Sequence, residues 1–233
     1  MKERVTFGAG PRLEGLFEPP DGEGNPAAGS AAAGGVVVSH PHPLYGGTMV
    51  QPVVHHIAKA CRSRGFATLR FNFRGVEGSE GEYEGVAEKG DVQVAAGYLR
   101  ERIGPDAPLV LAGYSYGASM SALAAADAGS SLAGLVLVAF PVVFQEIRAD
   151  VFAGLGSFVG PVLSVCGEYD DIAPPSHVGR FLREAGLRPR EVVIPGCDHL
   201  FAGGHGQIEK EIARFLAEGV VVGGIEAADG RTA

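Results

Sequence analysis

A serine lies in the pentad GYSYG, residues 113–117, between two segments of different character. Residues 110–112 before it are apolar and typical of a strand, and the small residues 118–123 after it are compatible with a helix. A serine at such a strand-to-helix elbow has a strained backbone and an exposed hydroxyl at the carboxyl end of a sheet. We therefore predict that Ser115 is a nucleophile; the alternative is a glycine-rich turn capped by a serine.

A serine hydroxyl needs a base, and the base must be oriented by a third group. In enzymes with this elbow the chain order is nucleophile, acid, histidine. Three histidines follow the pentad. His199 comes after a predicted strand over 190–194 and is the predicted base. His205, in a run of glycines, is interpreted as a solvated loop residue, and His177, at the start of a predicted helix, as a surface residue.

The acid is expected on the loop that follows the preceding strand, predicted over 161–166. Glu168, Asp170 and Asp171 all lie there and compete for the role. The spacing from the strand end favours Asp170. Asp198 is adjacent to the predicted base, and neighbouring residues rarely place their side chains for such a hydrogen bond.

An acyl-transfer site also needs N–H donors for the oxyanion. One is expected to be the backbone N–H of Tyr116, directly after the nucleophile. The second is expected from HPHPLYGG, residues 40–47, which we call the HPHP loop and which follows a predicted strand. Its two prolines have no N–H, so His42, Leu44 and Tyr45 are the early donors. His42 or Leu44 is preferred.

No metal or cofactor is predicted. His40 and His42 suggest a metal site, but no carboxylate or cysteine accompanies them as further ligands. The cysteines are odd in number and have no metal-like spacing: Cys61, Cys166 and Cys197. We interpret them as buried thiols in a reducing compartment.

Strand and helix patterns alternate along the chain. After a predicted antiparallel pair at 5–7 and 13–17, predicted strands over 35–39, 66–73, 108–113, 134–140, 161–166 and 190–194 alternate with predicted helices over 50–64, 89–102, 117–128, 176–185 and 207–218. Apolar strands that alternate with helices are typical of a parallel sheet covered on both faces. The fold class is therefore α/β, with a mostly parallel sheet of about eight strands.

One domain is predicted over residues 1–218. A Gly- and Ala-rich surface loop is expected at 19–35, and a frayed tail at 219–233. About twenty residues separate the predicted strands that end at 140 and begin at 161. That length has room for one helix but not for a cap domain, so we expect an open site.

Composition limits the partners. The formal net charge is −8 and no basic run occurs, which argues against nucleic acid. No apolar run reaches the roughly 18 residues of a membrane span. The N-terminus has no apolar signal region, so a cytoplasmic location is expected. The expected partner is a small molecule, and the sequence leaves monomer and homodimer open.

Five ordered motifs carry a family resemblance: HPHPLYGGTM (40–49), LRFNFRGVEGS (69–79), GYSYG (113–117), GEYDD (167–171) and DHLF (198–201). Together they resemble small bacterial-type α/β-hydrolases, the dienelactone-hydrolase-like group that includes lid-poor serine carboxylesterases. The resemblance covers roughly residues 33–216. It implies the triad Ser115, Asp170 and His199, with oxyanion donors at Tyr116 and in the His42–Leu44 part of the HPHP loop.

Two departures from the group stand out. Dienelactone hydrolase itself uses a cysteine nucleophile, so Ser115 argues against that activity. Relatives usually continue Gly-Gly-Thr-Met with Asp-Asn-Lys, whereas this chain has Val50-Gln51-Pro52. Arg74 is interpreted as a structural residue that bridges loops through its several donors.

The leading hypothesis is hydrolysis of short-chain or aryl carboxylic esters. Tyr45, Tyr114 and Phe201 are expected to contact the substrate. An amidase or peptidase of the same fold is the alternative, with an acidic cluster at 77–82 as a conceivable amine reader. A non-enzymatic binding protein of this fold is the alternative from another class; such proteins usually lack a triad member, and none is missing here.

Overall fold

An eight-stranded sheet runs through the protein in a computed structural model, which describes residues 2–21, 32–128 and 131–220. The strands are β1 (Glu3–Phe7), β2 (Leu13–Glu18), β3 (Gly34–Ser39), β4 (Phe66–Phe71), β5 (Leu109–Tyr114), β6 (Gly134–Val138), β7 (Val162–Gly167) and β8 (Arg190–Ile194). Their order across the sheet is β1-β2-β4-β3-β5-β6-β7-β8. β2 pairs antiparallel with β1 and β4, and the other pairs are parallel. The predicted fold class is confirmed.

In the described part of the chain, five α-helices cover the sheet: α1 (Pro52–Arg62), α2 (Lys89–Ile103), α3 (Tyr116–Ala128), α4 (Pro175–Glu184) and α5 (His205–Gly219). The step from β3 to β4 runs opposite to the step from β4 to β5. Because parallel crossovers are right-handed, α1 and α2 lie on opposite faces. α1 packs against α5, and α2 packs against α3. Every residue of β3, β5, β6 and β7 is buried, which explains their continuous apolar sequences.

The reversal of strand order places two chain segments side by side. β3 and β5 are adjacent and parallel, so the HPHP loop and the serine pentad leave the sheet at the same edge. Ligands of open α/β sheets bind at such a switch point, outside the carboxyl ends of the strands. The topology therefore brings these two motifs together.

The segment between β6 and β7 differs from the expectation of one helix. It contains two short 3₁₀ turns, Ala149–Phe152 and Leu155–Ser157, and no α-helix. Glycines at 154, 156 and 160 interrupt the segment, and glycine is unfavourable inside a helix. Phe152 and Leu155 are buried, so the turns still cover part of the core.

The predicted loop and tail are only partly described. Within the expected loop at 19–35, residues 22–31 lie outside the described residues, and the last two, Gly34 and Gly35, belong to β3. Of the expected tail, 221–233 lies outside the described residues. Its first two residues are packed: α5 ends at Gly219, and Val220 is 5% exposed. Among the described residues, no helix is both long and apolar enough to cross a membrane.

Candidate active site

Ser115 stands on the elbow between β5 and α3. Its backbone φ is +54°, in the left-handed region that non-glycine residues rarely adopt. The two flanking glycines make the turn possible. A Cβ at Gly113 would lie 2.2 Å from the carbonyl oxygen of Gly117, and a Cβ at Gly117 would lie 2.4 Å from the carbonyl oxygen of Ser39. The elbow is therefore packed against the end of β3.

A histidine and an aspartate line up behind the serine hydroxyl. His199 Nε2 lies 2.8 Å from Ser115 Oγ. On the other side of the ring, His199 Nδ1 lies 2.9 Å from each carboxylate oxygen of Asp170. An imidazole with Nδ1–H on a carboxylate and its Nε2 lone pair on a hydroxyl can accept the hydroxyl proton. The arrangement can thus activate Ser115 as a nucleophile.

The Asp170 carboxylate is held in place from its other side. Oδ1 accepts hydrogen bonds from the backbone N–H groups of Ile172 at 3.0 Å and Ala173 at 2.7 Å. The side chain is fully buried, so these two amides fix its orientation toward the imidazole.

The other acids of this region point elsewhere. Glu168 accepts the N–H of Gly196 at 2.8 Å, and Asp198 accepts the N–H of Leu200 at 2.9 Å. Asp171 is exposed. The structure therefore brings Asp170, and not the other acids, to the predicted base.

Hydrogen bonding within the HPHP loop distinguishes between His42 and Leu44 as oxyanion donors. Leu44 donates to His42 Nδ1 at 3.2 Å, Tyr45 and Gly47 donate to the carbonyl oxygen of His42, and Gly46 donates to that of Pro43. Within the described part of the chain, the N–H of His42 has no acceptor. This favours His42 over Leu44.

The other predicted donor, the backbone N–H of Tyr116, belongs to a residue that packs against His42. Tyr116 is the first residue of α3, where a backbone N–H has no partner inside the helix. The Tyr116 ring lies 4.8 Å from the His42 ring, centroid to centroid. The N–H groups of Tyr116 and His42 are therefore both available as hydrogen-bond donors to a ligand oxygen.

Comparison with known proteins identifies the family. A sequence model described as an alpha/beta hydrolase domain matches residues 36–211. The chain belongs to the α/β-hydrolase family. It is similar to an α/β serine hydrolase homologue from Coxiella burnetii, with 33% identity and a TM-score of 0.80, over 92% of this chain and 97% of that one.

Two further relatives of this α/β-hydrolase are similar over most of their length. A solved serine hydrolase from Xanthomonas campestris, described as lacking a lid, is 25% identical with a TM-score of 0.78, over 93% of this chain and 94% of its own. An uncharacterized protein of Rickettsia prowazekii (strain Madrid E) is 29% identical over 186 residues, 77% of each chain.

Two predicted substrate contacts of this α/β-hydrolase have a different environment from the one expected. Tyr114 is 4% exposed and Phe201 is fully buried. The Tyr114 hydroxyl donates to the backbone carbonyl of His199 at 2.9 Å, and its ring packs against Phe201. Both side chains therefore support the His199 loop and are not accessible to a substrate. Phe201 has a backbone φ of +56°, which bulky residues rarely adopt, so the loop turns tightly at this residue.

Tyr45, the third predicted contact, is accessible. It is 64% exposed, and its ring lies 5.9 Å from that of Phe144, centroid to centroid. Gln145 Nε2 donates to its hydroxyl at 2.6 Å. An exposed aromatic ring therefore stands beside the HPHP loop.

The two histidines of the HPHP loop have structural roles that the sequence did not predict. His40 is fully buried, its Nε2 accepts the N–H of Phe73 at 3.0 Å, and its Nδ1 lies 2.6 Å from the carbonyl oxygen of Pro41. Burial lowers the pKa of His40 to about 4, so the ring is neutral. Its neighbour His42 uses Nδ1 to accept the Leu44 N–H. Both rings thus hold loop backbone, a role that the sequence signals only by the proline that follows each histidine.

A buried carboxylate that the sequence did not single out lies beneath Tyr116. Glu88 is fully buried, and its Oε2 lies 3.1 Å from the Tyr116 hydroxyl, which also donates to the carbonyl oxygen of Gly85. Burial raises the pKa of Glu88 and of Tyr116. This network fixes the side chain of Tyr116 below the elbow.

The remaining candidate residues have structural roles. Arg74 Nη2 lies 2.7 Å from Asp91, and Nη1 lies 2.6 Å from Glu84, as expected for a loop bridge. His205 is the first residue of α5, not a solvated loop residue, and its ring stacks on His56 at 4.5 Å.

The cysteines and histidines form no evident metal centre. Among the described residues, no group of three or more His, Cys, Asp or Glu side chains could hold a metal ion. Cys61, Cys166 and Cys197 are unpaired and buried. Burial raises the pKa of Cys61 and of Cys166 to about 12, so these thiols stay protonated and unreactive near neutral pH.

Proposed function

We propose that the protein is a serine hydrolase that cleaves carboxylic esters through an acyl-enzyme on Ser115. The observation that carries the proposal is the continuous line from Asp170 through His199 to Ser115 Oγ, with contacts of 2.9 and 2.8 Å. Membership of the α/β-hydrolase family supports it.

The proposed reaction has two halves. Ser115 Oγ attacks the ester carbonyl carbon while His199 Nε2 accepts the hydroxyl proton, and the N–H groups of Tyr116 and His42 stabilise the oxyanion. The intermediate then expels the alcohol, which takes the proton from His199. Water, deprotonated by His199, attacks the acyl-enzyme in the same way and releases the acid. Asp170 holds the imidazole and stabilises its protonated form throughout.

We assign short-chain or aryl esters as the substrate class. The segment between β6 and β7, all of which is described, contains one tight turn at 144–147 and two 3₁₀ turns, and it forms no cap. The exposed ring of Tyr45 offers a flat apolar surface at the rim. A small or aromatic ester fits an open site of this kind better than a long acyl chain does, because such a chain needs an enclosed tunnel to bury its surface.

The test is turnover of p-nitrophenyl acetate and butyrate by Ser115→Ala. We expect a loss of about 10⁴-fold or more in kcat, because no other group can form the acyl-enzyme. Ser176→Ala, which removes an exposed hydroxyl from α4, is the matched control and is expected to keep wild-type turnover. Undiminished turnover by Ser115→Ala would refute the proposal. Cleavage of an aminoacyl p-nitroanilide at rates that rival the esters would replace the ester assignment by an amidase or peptidase.

A further inference from the structure

Glu146 lies at the tip of a tight turn that contacts the HPHP loop. Reciprocal backbone hydrogen bonds of 3.0 and 2.9 Å between Phe144 and Ile147 close the turn. The other tip residue, Gln145, has φ +53° and donates to the hydroxyl of Tyr45. The turn is therefore attached to the HPHP loop by the side chains of both tip residues.

The Glu146 carboxylate is the acceptor at a three-way junction. Its Oε1 lies 3.4 Å from His42 Nε2 and accepts a hydrogen bond from the Tyr83 hydroxyl. That hydroxyl is itself 3.0 Å from the same imidazole nitrogen. The His42 side chain is 5% exposed and that of Glu146 is 33% exposed. A partly screened negative charge thus covers one edge of a buried ring.

The hydrogen bonds of His42 fix its tautomer. Leu44 donates its N–H to Nδ1, so Nδ1 carries the lone pair and Nε2 carries the proton. Nε2–H then faces Tyr83 and Glu146. Burial lowers the pKa of His42 while Glu146 acts in the opposite direction, so the neutral ring is the form present near pH 7. Loss of Glu146 would remove the anionic acceptor that selects this tautomer.

We propose that Glu146 is a positioning residue for the oxyanion donor, an inference that rests on the proposed function. By holding the His42 ring with its proton on Nε2, it keeps the Leu44 N–H on Nδ1 and leaves the backbone N–H of His42 free to face the substrate oxygen. Because an oxyanion forms only in the transition state, this positioning acts on kcat and not on substrate binding.

The experiment compares Glu146→Ala and Glu146→Gln with p-nitrophenyl acetate as substrate. Complete loss of an oxyanion donor costs about 10²–10³ in kcat, so we expect a mispositioned donor in Glu146→Ala to cost about tenfold, with KM changed by less than about twofold. Glu146→Gln is expected to recover most of the loss, because its amide oxygen accepts from Nε2–H and from Tyr83. Asp150→Ala removes an exposed carboxylate from the same segment and serves as the control, with wild-type kcat expected.

Three results would overturn the assignment: wild-type kcat in Glu146→Ala, a change in KM alone, or a Glu146→Gln variant as impaired as Glu146→Ala. Should Glu146→Ala fail to fold, Tyr83→Phe removes the hydroxyl of the same junction; a fall of about threefold in kcat supports the role, and unchanged kcat overturns it. The Ser115→Ala result keeps the two proposals separate. An inactive Ser115→Ala with a fully active Glu146→Ala refutes the role of Glu146 and leaves ester hydrolysis standing.

Discussion

At the scale of single residues, the two carboxylate oxygens of Asp170 share the imidazole but differ in their other partners. Oδ1 is held by the backbone N–H groups of Ile172 and Ala173. Both oxygens lie 2.9 Å from His199 Nδ1, and Oδ2 has no backbone donor of this kind, so Oδ2 is the atom whose chemistry can be changed without moving the side chain. An amide at this position keeps its oxygen on the two N–H groups and presents its NH₂ to the imidazole.

We therefore expect Asp170→Asn to lower activity severely while it leaves the structure almost unchanged. The NH₂ group donates to Nδ1, which forces the imidazole proton onto Nε2 and removes the lone pair that accepts the Ser115 proton. We expect kcat for p-nitrophenyl acetate to fall by about 10³–10⁴-fold with an unchanged thermal midpoint. Asp171→Asn, at the exposed neighbour, is the matched control and should keep wild-type kcat. Equal effects of the two substitutions would remove Asp170 from the site.

At the scale of elements, His40 ties the loop after β3 to the end of β4. Its ring accepts the N–H of Phe73 and is fully buried, so protonation would break this contact and place a charge in the core. The folded-state pKa of about 4 lies below the ordinary value of 6.5. Between these two values the unfolded chain binds the proton and the folded chain does not. The contribution of His40 to stability is therefore complete above pH 6.5 and is lost as the pH falls toward 4.

His40→Gln tests this contribution. A glutamine oxygen can accept the Phe73 N–H and does not titrate. We expect the free energy of unfolding of the wild type to fall by about 3 kcal/mol more than that of the variant between pH 7.5 and pH 4. Denaturant unfolding at a series of pH values measures both, and the remaining histidines cancel in the comparison. Parallel pH profiles for the two proteins would contradict the buried, neutral ring.

Some elements of the site could be predicted from local sequence, and others depend on contacts between distant segments. β5, the elbow and α3 could be predicted, because an apolar strand, a glycine pentad and a small-residue helix are each local signals. The turn that carries Glu146 could not be predicted. It is closed by two hydrogen bonds and lies against the HPHP loop, about a hundred residues earlier in the chain, so its position depends on the sheet that brings both together.

The orientation of side chains at the site also could not be predicted from the sequence. Tyr114 and Phe201 were expected at the substrate because they neighbour Ser115 and His199 in the chain. Adjacent residues of a strand point to opposite faces, and Tyr114 faces inward, where its hydroxyl supports the His199 loop. Spacing favoured Asp170 among three acids, and the structure places it against His199, but the two amides that hold it are visible only in three dimensions.

At the scale of the whole molecule, the strand order concentrates the chemistry at one edge. The HPHP loop follows β3, Ser115 follows β5, Asp170 follows β7 and His199 follows β8. These are carboxyl ends of parallel strands, so residues up to 159 positions apart in sequence meet at a single edge. The described connection from β6 to β7 adds no cap over that edge. The proposed nucleophile is thus expected to react with reagents that an enclosed pocket would exclude.

The most direct test of the proposed nucleophile is the intact mass of the protein after incubation with a bulky fluorophosphonate. We predict the addition of one phosphonyl group per chain, located on the peptide that contains Ser115. Labelling of His199→Ala should be slower, because the hydroxyl then lacks its base. Ser115→Ala should gain no mass. An unmodified wild-type protein, or a label that persists in Ser115→Ala, would contradict the assignment of Ser115 as the nucleophile.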